Sequence, residues 1–365
     1  MKINDYVKKS KNPIAKQQTR TSCLLFLCRL VKMSKACYNH LDNVVFMINY
    51  EESVCIMEKV DILLSIYNPN MEYLQLQLQS LDRQTYDNLE ILVFDDCVSN
   101  RCDLAIFEQC LKNKSYKILP YKDENQGYTK AFEYLVSESD GDYVAFCDQD
   151  DIWDETKIEK CVACLKQDKS LVVTTDRRII DAKGHVIKES IRHTSTKNFD
   201  TWKSFDDIGK YNFFANHTIG MGMVVNGDFV RSTIPFCVHT GHDKWVTCCA
   251  CAMGTVSFLD EVLVSYRRHG LNVSGVLNGV TTKKEYKEER ILPHLYLVEE
   301  FKTRYPNYHG TEEALEFAHA RVKGDIRKIL KYSYLAPDIA KFEILLTLLP
   351  GAIVKIAIKI LQKIM

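Results

Sequence analysis

The chain has 365 residues, enough for one large domain with appendages and ample for a buried core. Its 48 lysines and arginines balance 48 aspartates and glutamates, so net charge leaves no electrostatic footprint for nucleic acid. Its 14 cysteines are scattered and no secretory signal is visible, which reads as reduced, buried thiols in a cytosolic protein.

Residues 1–58 have mixed character and no assignable role. The apolar run Cys23 to Cys28 is far too short to span a bilayer. From Val60 the pattern is α/β. Val60 to Tyr67 reads as a buried strand stopped by Asn68-Pro69-Asn70. Residues 71–83 form a helix with Leu74, Leu78 and Leu81 on one face. Leu89 to Phe94 is a second strand, ended by Asp95-Asp96. A helix over about 101–113, a short strand near Tyr116 to Leu119, the loop Asn125-Gln126-Gly127 and a helix from Tyr128 to Ser137 follow. Alternating strands and helices predict a mainly parallel central sheet flanked by helices. Ligands then bind beyond the carboxyl ends of the strands, where Ser65, Tyr67, Asn68, Asp95 and Asp96 gather.

The strand Tyr143 to Cys147 ends in Asp148-Gln149-Asp150-Asp151. Asp148 and Asp150 point the same way from an extended backbone. Two carboxylates held so close call for a cation, and hard oxygen ligands suit Mg²⁺ or Mn²⁺ with a phosphate completing the shell. A lone pair of this kind is usually an acidic turn; here the other strand ends converge on it.

A helix over 154–167 follows, carrying Cys161 and Cys164, which read as core residues because no second pair stands at zinc spacing. Leu171 to Thr175, Arg178 to Asp181, Thr218 to Asn226, Thr255 to Leu259 and Leu263 to His269 read as strands, and residues 243–253 as a helix. From Glu285 the pattern is helical. The tail over 341–365 is apolar to Leu349, broken at Pro350-Gly351, then places Lys355, Lys359 and Lys363 opposite Ile353, Ile356, Ile360 and Ile364. Such a helix suits an anionic membrane surface, the other reading being a cover for the domain's own core.

The runs VDILLSIYNPN, VFDDCVSN, ENQGYTKAF, YVAFCDQDDIW, GHDKW and SYRRHGLNVSG resemble, in that order, the family 2 glycosyltransferases of GT-A fold. DQDDIW, HDKW and YRRHGLN look most like bacterial rhamnosyltransferases. The resemblance covers about Val60 to Gly275. It implies a GT-A domain over 59–280, a helical C-terminal extension over 281–340 and the tail beyond it.

The resemblance also implies roles. Ser65, Tyr67 and Asn68 would border the nucleotide base, and Asp95 or Asp96 would contact base or ribose. The family's Gly-Ser after the paired aspartates is Cys97-Val98-Ser99 here. Asn125 and Gly127 open the next helix, from which Lys130 would approach the diphosphate. Asp150 would be the direct metal ligand and Asp148 nearer the ribose. His269 would join the metal, and Arg267 or Arg268 would hold the departing diphosphate, with Asn272 and Ser274 in a closing loop. Asp243 stands where the family has its catalytic carboxylate; its plain alternative is a helix cap. Trp153, His217, His242 and Trp245 fall on the acceptor side.

The expectation is an inverting, metal-dependent glycosyltransferase. It would move a sugar, rhamnose favoured, from a nucleoside-diphosphate donor such as dTDP-rhamnose to a cell-surface glycan or lipid-linked acceptor. It would work in the cytoplasm, peripheral to the plasma membrane. The alternative is an inactive sugar-nucleotide-binding scaffold of a polysaccharide assembly. A nucleotidyltransferase would need a glycine-rich basic loop in place of YNPN. A phosphatase would need its aspartates after the first strand.

Overall fold

The computed structural model describes residues 57–194, 201–269, 277, 279–351, 353–355 and 358. The segment 1–56, the loop bearing Asn272 and Ser274 and the end of the tail lie outside the described residues.

β1 (Val60–Ile66) is apolar except at Asp61 and Ser65 and is covered on both faces. α1 (Met71–Asp82) starts because the Asn70 side chain accepts from the N–H groups of Glu72 (3.0 Å) and Tyr73 (3.2 Å). β2 (Leu89–Asp95), α2 (Ala105–Cys110), β3 (Ser115–Ile118), α3 (Tyr128–Ser137) and β4 (Tyr143–Cys147) follow. They build a parallel block in the order β3-β2-β1-β4. Ile66 of β1 pairs with Asp95 of β2, so these two end level, while β4 stops two residues earlier, with Cys147 opposite Leu64.

Beyond β4 the sheet is mixed. After β5 (Ile152–Trp153) and α4 (Lys157–Asp168) come β6 (Val172–Ile180) and β7 (Val186–Lys188), then α5 (Gly209–Asn212), β8 (Met223–Asn226), α6 (Gly227–Ser232), α7 (His242–Met253) and β9 (Val256–Arg267). β8 runs antiparallel to both β4 and β6, β9 runs parallel to β6, and β5 closes the edge against β9. The two strands expected over 171–181 are one, β6, and the two expected over 255–269 are one, β9. The β6–β9 register shifts around Thr175, Asp176 and Arg177, and a bulge of this kind looks like a break in a linear pattern. Gly220–Gly222 forms a 3₁₀ turn where continuous strand was expected. The helix expected over 101–113 is short because Asp95 draws the N–H groups of Cys97 and Cys102 into a loop.

Strand alternation divides the core. Leu63 faces one layer with Phe94, Phe132, Phe146 and Trp245, while Ile62 and Leu64 face another with Leu74, Leu78 and Ile158. α8 (Lys283–Tyr286) passes through one π turn, Lys287–Ile291, into α9 (Leu292–Arg304), followed by α10 (Thr311–Lys323), α11 (Ile326–Lys331) and α12 (Pro337–Leu348). Phe301 of α9 and Phe317 of α10 belong to the same core as Phe132 and Trp245, so the helical extension completes the sheet's hydrophobic layer. Val354 and Ile358 are buried with Tyr286, Ile291 and Leu346, whereas Ile353 is 48% exposed. This part of the tail therefore turns its inward face through positions 354 and 358. Among the described residues no helix is long and apolar enough to cross a membrane.

Candidate functional site

β4 delivers Asp148 to Asp151 to the carboxyl edge of the sheet, and β9 brings its own end alongside. The Arg267 N–H donates to Asp151 Oδ1 at 3.0 Å, and Arg267 Nε donates to the Asp150 carbonyl at 2.9 Å. Its guanidinium also reaches the carbonyl of Asp181 (3.3 Å) and lies 4.4 Å from the centroid of the Tyr73 ring. Arg267 is buried, and these bonds brace the acidic turn. Of the two arginines proposed for the diphosphate, only Arg268 is exposed. Two residues past Arg267, His269 Nε2 lies 2.6 Å from Asp150 Oδ2.

The acidic turn is electrostatically loaded. Burial first, then the charges of Asp150 and Asp243, push the Asp148 carboxyl up to about 7. Burial first, then the charges of Asp148 and Asp150, hold Asp151 well above the ordinary range. Beneath them lies Lys157, fully buried, its ammonium 3.1 Å from the centroid of the Trp153 ring and pushed down to about 8 by burial. Trp153 is thus a buried floor under the turn.

His242 at the start of α7 packs on Phe146 of β4, which puts Asp243 at this same edge, where its charge adds to the upward push on Asp148. Gly241 occupies the N-cap position, so Asp243 is not the helix cap. Asp243 Oδ1 accepts from the Lys244 N–H (2.7 Å); Oδ2 accepts from Asn216 Nδ2 (2.6 Å) and the Gly220 N–H (3.3 Å). A carboxylate held by three donors at the first turn of a helix has a fixed direction. A Cβ on Gly220 would sit 2.6 Å from His242 Nε2, which is why the chain needs glycine there.

His242 packs among aromatic rings. Its ring centroid lies 4.0 Å from that of Phe132 and 4.6 Å from that of Phe146, and burial pushes it down to about 4, so it is a neutral packing ring. Trp245 is likewise core: it is fully buried and its indole N–H donates to the Thr233 carbonyl at 3.0 Å. An inward-facing helix position sets this, which the HDKW spacing alone did not reveal. His217 bonds the Ala215 carbonyl through Nδ1 (2.8 Å), is pushed down to about 4 by burial, and lines a small polar cavity with Thr174, Arg177, Arg192 and Trp202.

On the opposite rim, Ser65 is half-buried, Tyr67 is 52% exposed, and Asn68 adopts φ 43° with its Oδ1 accepting from Asn100 Nδ2 at 2.7 Å. Asp95 and Asp96 turn inward to the loops that follow β2 and precede α3. Asp95 accepts from the N–H groups of Cys97 (2.9 Å) and Cys102 (2.7 Å), and Asp96 from those of Gln126 (2.7 Å) and Gly127 (2.8 Å). Both are buried, so they build the loops that rim the cleft. Asn125 Oδ1 also accepts from the Gly127 N–H (2.8 Å), and Gly127, at φ 74°, opens α3. Lys130 is bonded to Glu133 at 2.7 Å.

Gln149, Asn216 and Lys157 escaped sequence reasoning. The only signals were position: Gln149 between two aspartates, Asn216 beside His217, and Lys157 four residues before the inward-facing Cys161. Cys161 and Cys164 are free thiols, pushed up by burial to about 12 and about 11. Among the described residues no group of three or more His, Cys, Asp or Glu is arranged to hold a metal. Asp150 and His269 nevertheless make a carboxylate–imidazole pair, a donor set that suits Mn²⁺ when phosphate and water supply the other ligands.

Residues 61–223 match the model of Glycosyl transferase family 2. Asp243 and His269 lie beyond that match. An uncharacterized glycosyltransferase of Nostoc sp. is 25% identical over 235 residues, 63% of this chain and 71% of that protein. One from Haemophilus influenzae is 29% identical over 249 residues, 65% of this chain and 74% of its own length. Among solved structures, S. aureus TarS 1–349 in complex with UDP-GlcNAc is similar with a TM-score of 0.53 at 15% identity, covering 77% of this chain and 82% of that one. The fold is GT-A-like, with a mixed α/β sheet and a C-terminal helical extension.

Proposed function

We propose that this chain is an inverting family 2 glycosyltransferase that moves a sugar from a nucleoside-diphosphate donor to a hydroxyl group. Family match and relatives' names both support glycosyl transfer. The observation that carries the mechanism is the pair of functional ends at one sheet edge: Asp150 with His269, and Asp243 oriented by Asn216.

The base lies against Tyr67 and the diphosphate points toward Arg268. Asp150 and His269, with Asp148 beside them, would hold a divalent cation, Mn²⁺ or Mg²⁺, whose charge stabilises the leaving diphosphate. Asp243 takes the acceptor hydroxyl's proton as that oxygen attacks the anomeric carbon. The new C–O bond forms on the face opposite the one that breaks, and the nucleoside diphosphate leaves. The neutral His242 ring seats the first turn of α7, which keeps Asp243 aimed.

The DQDDIW, HDKW and YRRHGLN motifs support dTDP-rhamnose as donor and a glycan or lipid-linked acceptor. Exposed Leu345, Leu348 and Ile353, near Lys355, support contact with a membrane face; serines at Leu345 and Leu348 should reduce co-sedimentation with anionic vesicles, and unchanged binding removes that contact. Incubation with nucleotide sugars and Mn²⁺, read by mass spectrometry, tests the whole reading. Transfer or donor hydrolysis supports it, with dTDP-rhamnose expected to be consumed fastest. Binding without turnover of any donor would leave the inactive scaffold.

A further inference from the structure

β1 and β4 run parallel, and their backbone pairing ends at Leu64 opposite Cys147. Two residues later a side chain continues the ladder. Gln149 Oε1 accepts from the Tyr67 N–H at 2.8 Å, and Gln149 Nε2 donates to the Tyr67 carbonyl at 3.1 Å. A primary amide is a peptide group in miniature, with one acceptor and a donor, so it satisfies both backbone groups of Tyr67 at once. β4 itself ends at Cys147, and in the bend that follows the side chain of Gln149, between the two aspartates of the turn, reaches back to Tyr67 at the end of β1.

We infer that Gln149 is a positioning residue that locks the nucleotide-facing wall at Tyr67 to the carboxylates that would hold the cation. The inference rests on the glycosyltransferase reading for the identity of the ligand. The clamp withdraws the Tyr67 backbone from any ligand. What Tyr67 then offers is its half-exposed ring, a flat surface on which a base can lie. A second tie secures the far side of the wall, where Asn68 is held by Asn100. Arg267 pins the acidic turn from the opposite direction through the Asp150 carbonyl. Base site and diphosphate site are thereby set at one spacing. The nearest side chains fall short: glutamate lacks the donor, asparagine is one methylene short, and methionine fills the space with neither bond.

The test is a double-mutant cycle on binding, using Gln149→Met, Tyr67→Ala and both together. UDP and dTDP with Mn²⁺ are titrated calorimetrically, and inorganic pyrophosphate with Mn²⁺ serves as the ligand without a base. Gln149→Met should weaken nucleoside diphosphate about tenfold and leave pyrophosphate within about twofold, since only base placement is lost. The double variant should bind no more weakly than Tyr67→Ala alone. Equal losses for pyrophosphate and nucleotide, fully additive losses, or no loss would each overturn the inference. Should Gln149→Met fail to fold, Gln149→Glu, which keeps the acceptor and the length, replaces it in the cycle. Failure of the wild type to bind either nucleotide would instead overturn the glycosyltransferase reading.

Discussion

His269 and Asp150 are 119 positions apart, yet Nε2 and Oδ2 stand 2.6 Å from each other. Together they offer a carboxylate and an imidazole, the donors that would hold the cation in the proposed reaction. His269→Ala should lower Mn²⁺ affinity in the presence of nucleoside diphosphate by at least the roughly 10–100-fold that losing a supporting group costs elsewhere. Mn²⁺ titration followed by electron paramagnetic resonance measures it. Unchanged affinity would take His269 out of the metal site.

Asp243→Asn should keep donor binding and lose transfer by roughly 10²–10⁴-fold, the usual worth of a positioned base. Asn216→Ala frees one carboxylate oxygen of its 2.6 Å donor and should lower kcat with little change in donor KM. Near wild-type turnover by Asp243→Asn would assign the base elsewhere.

Asp148→Asn removes a carboxylate that burial and two neighbouring negative charges oppose. The protein should melt higher, by roughly 1–2 °C per kcal/mol relieved in a unit of this size. The same variant should bind nucleoside diphosphate and Mn²⁺ more weakly. A lower melting point would mean that the repulsion inferred at the turn is already compensated.

His242 makes stability pH-dependent in a definite direction. Its folded imidazole sits at about 4 against an ordinary 6.5, so the unfolded chain takes up a proton first as pH falls. The contribution is whole above pH 6.5 and is lost on acidification toward 4, at up to about 1.4 kcal/mol per pH unit for one proton. His217, also at about 4, adds a slope of the same sign. Urea unfolding of His242→Leu across that range should show a slope shallower by about one proton than wild type. Identical slopes would show that His242 does not titrate with unfolding.

Glu343→Ala removes the carboxylate that Arg321 bonds at 2.9 and 2.7 Å inside the helical extension, leaving the buried guanidinium with His294 but no counter-charge there. Breaking a buried pair costs about 3–5 kcal/mol. Because α9 and α10 share a core with the sheet, calorimetry should show one transition at lower temperature. A separate early transition would mark the extension as an independently melting unit.

Local pattern carried much of this protein. Apolar runs marked β1, β2 and β4, the shared face of Leu74, Leu78 and Leu81 marked α1, and an apolar run ending in aspartates placed Asp148 and Asp150 at a strand's carboxyl end. These are properties of neighbouring residues, so a linear reading reaches them. It did not reach the single strands β6 and β9, because a bulge breaks the alternation without ending the strand. Nor did it reach the inward turn of Asp95 and Asp96, the burial of His242 and Trp245, or the roles of Asn216 and Gln149. Each of those depends on what a distant segment presents: a loop's N–H groups, Phe132 and Phe146, or the end of β1. Residue type and spacing set which groups can do chemistry. Which of them face the cleft was decided only when the tertiary fold assigned their hydrogen-bond partners.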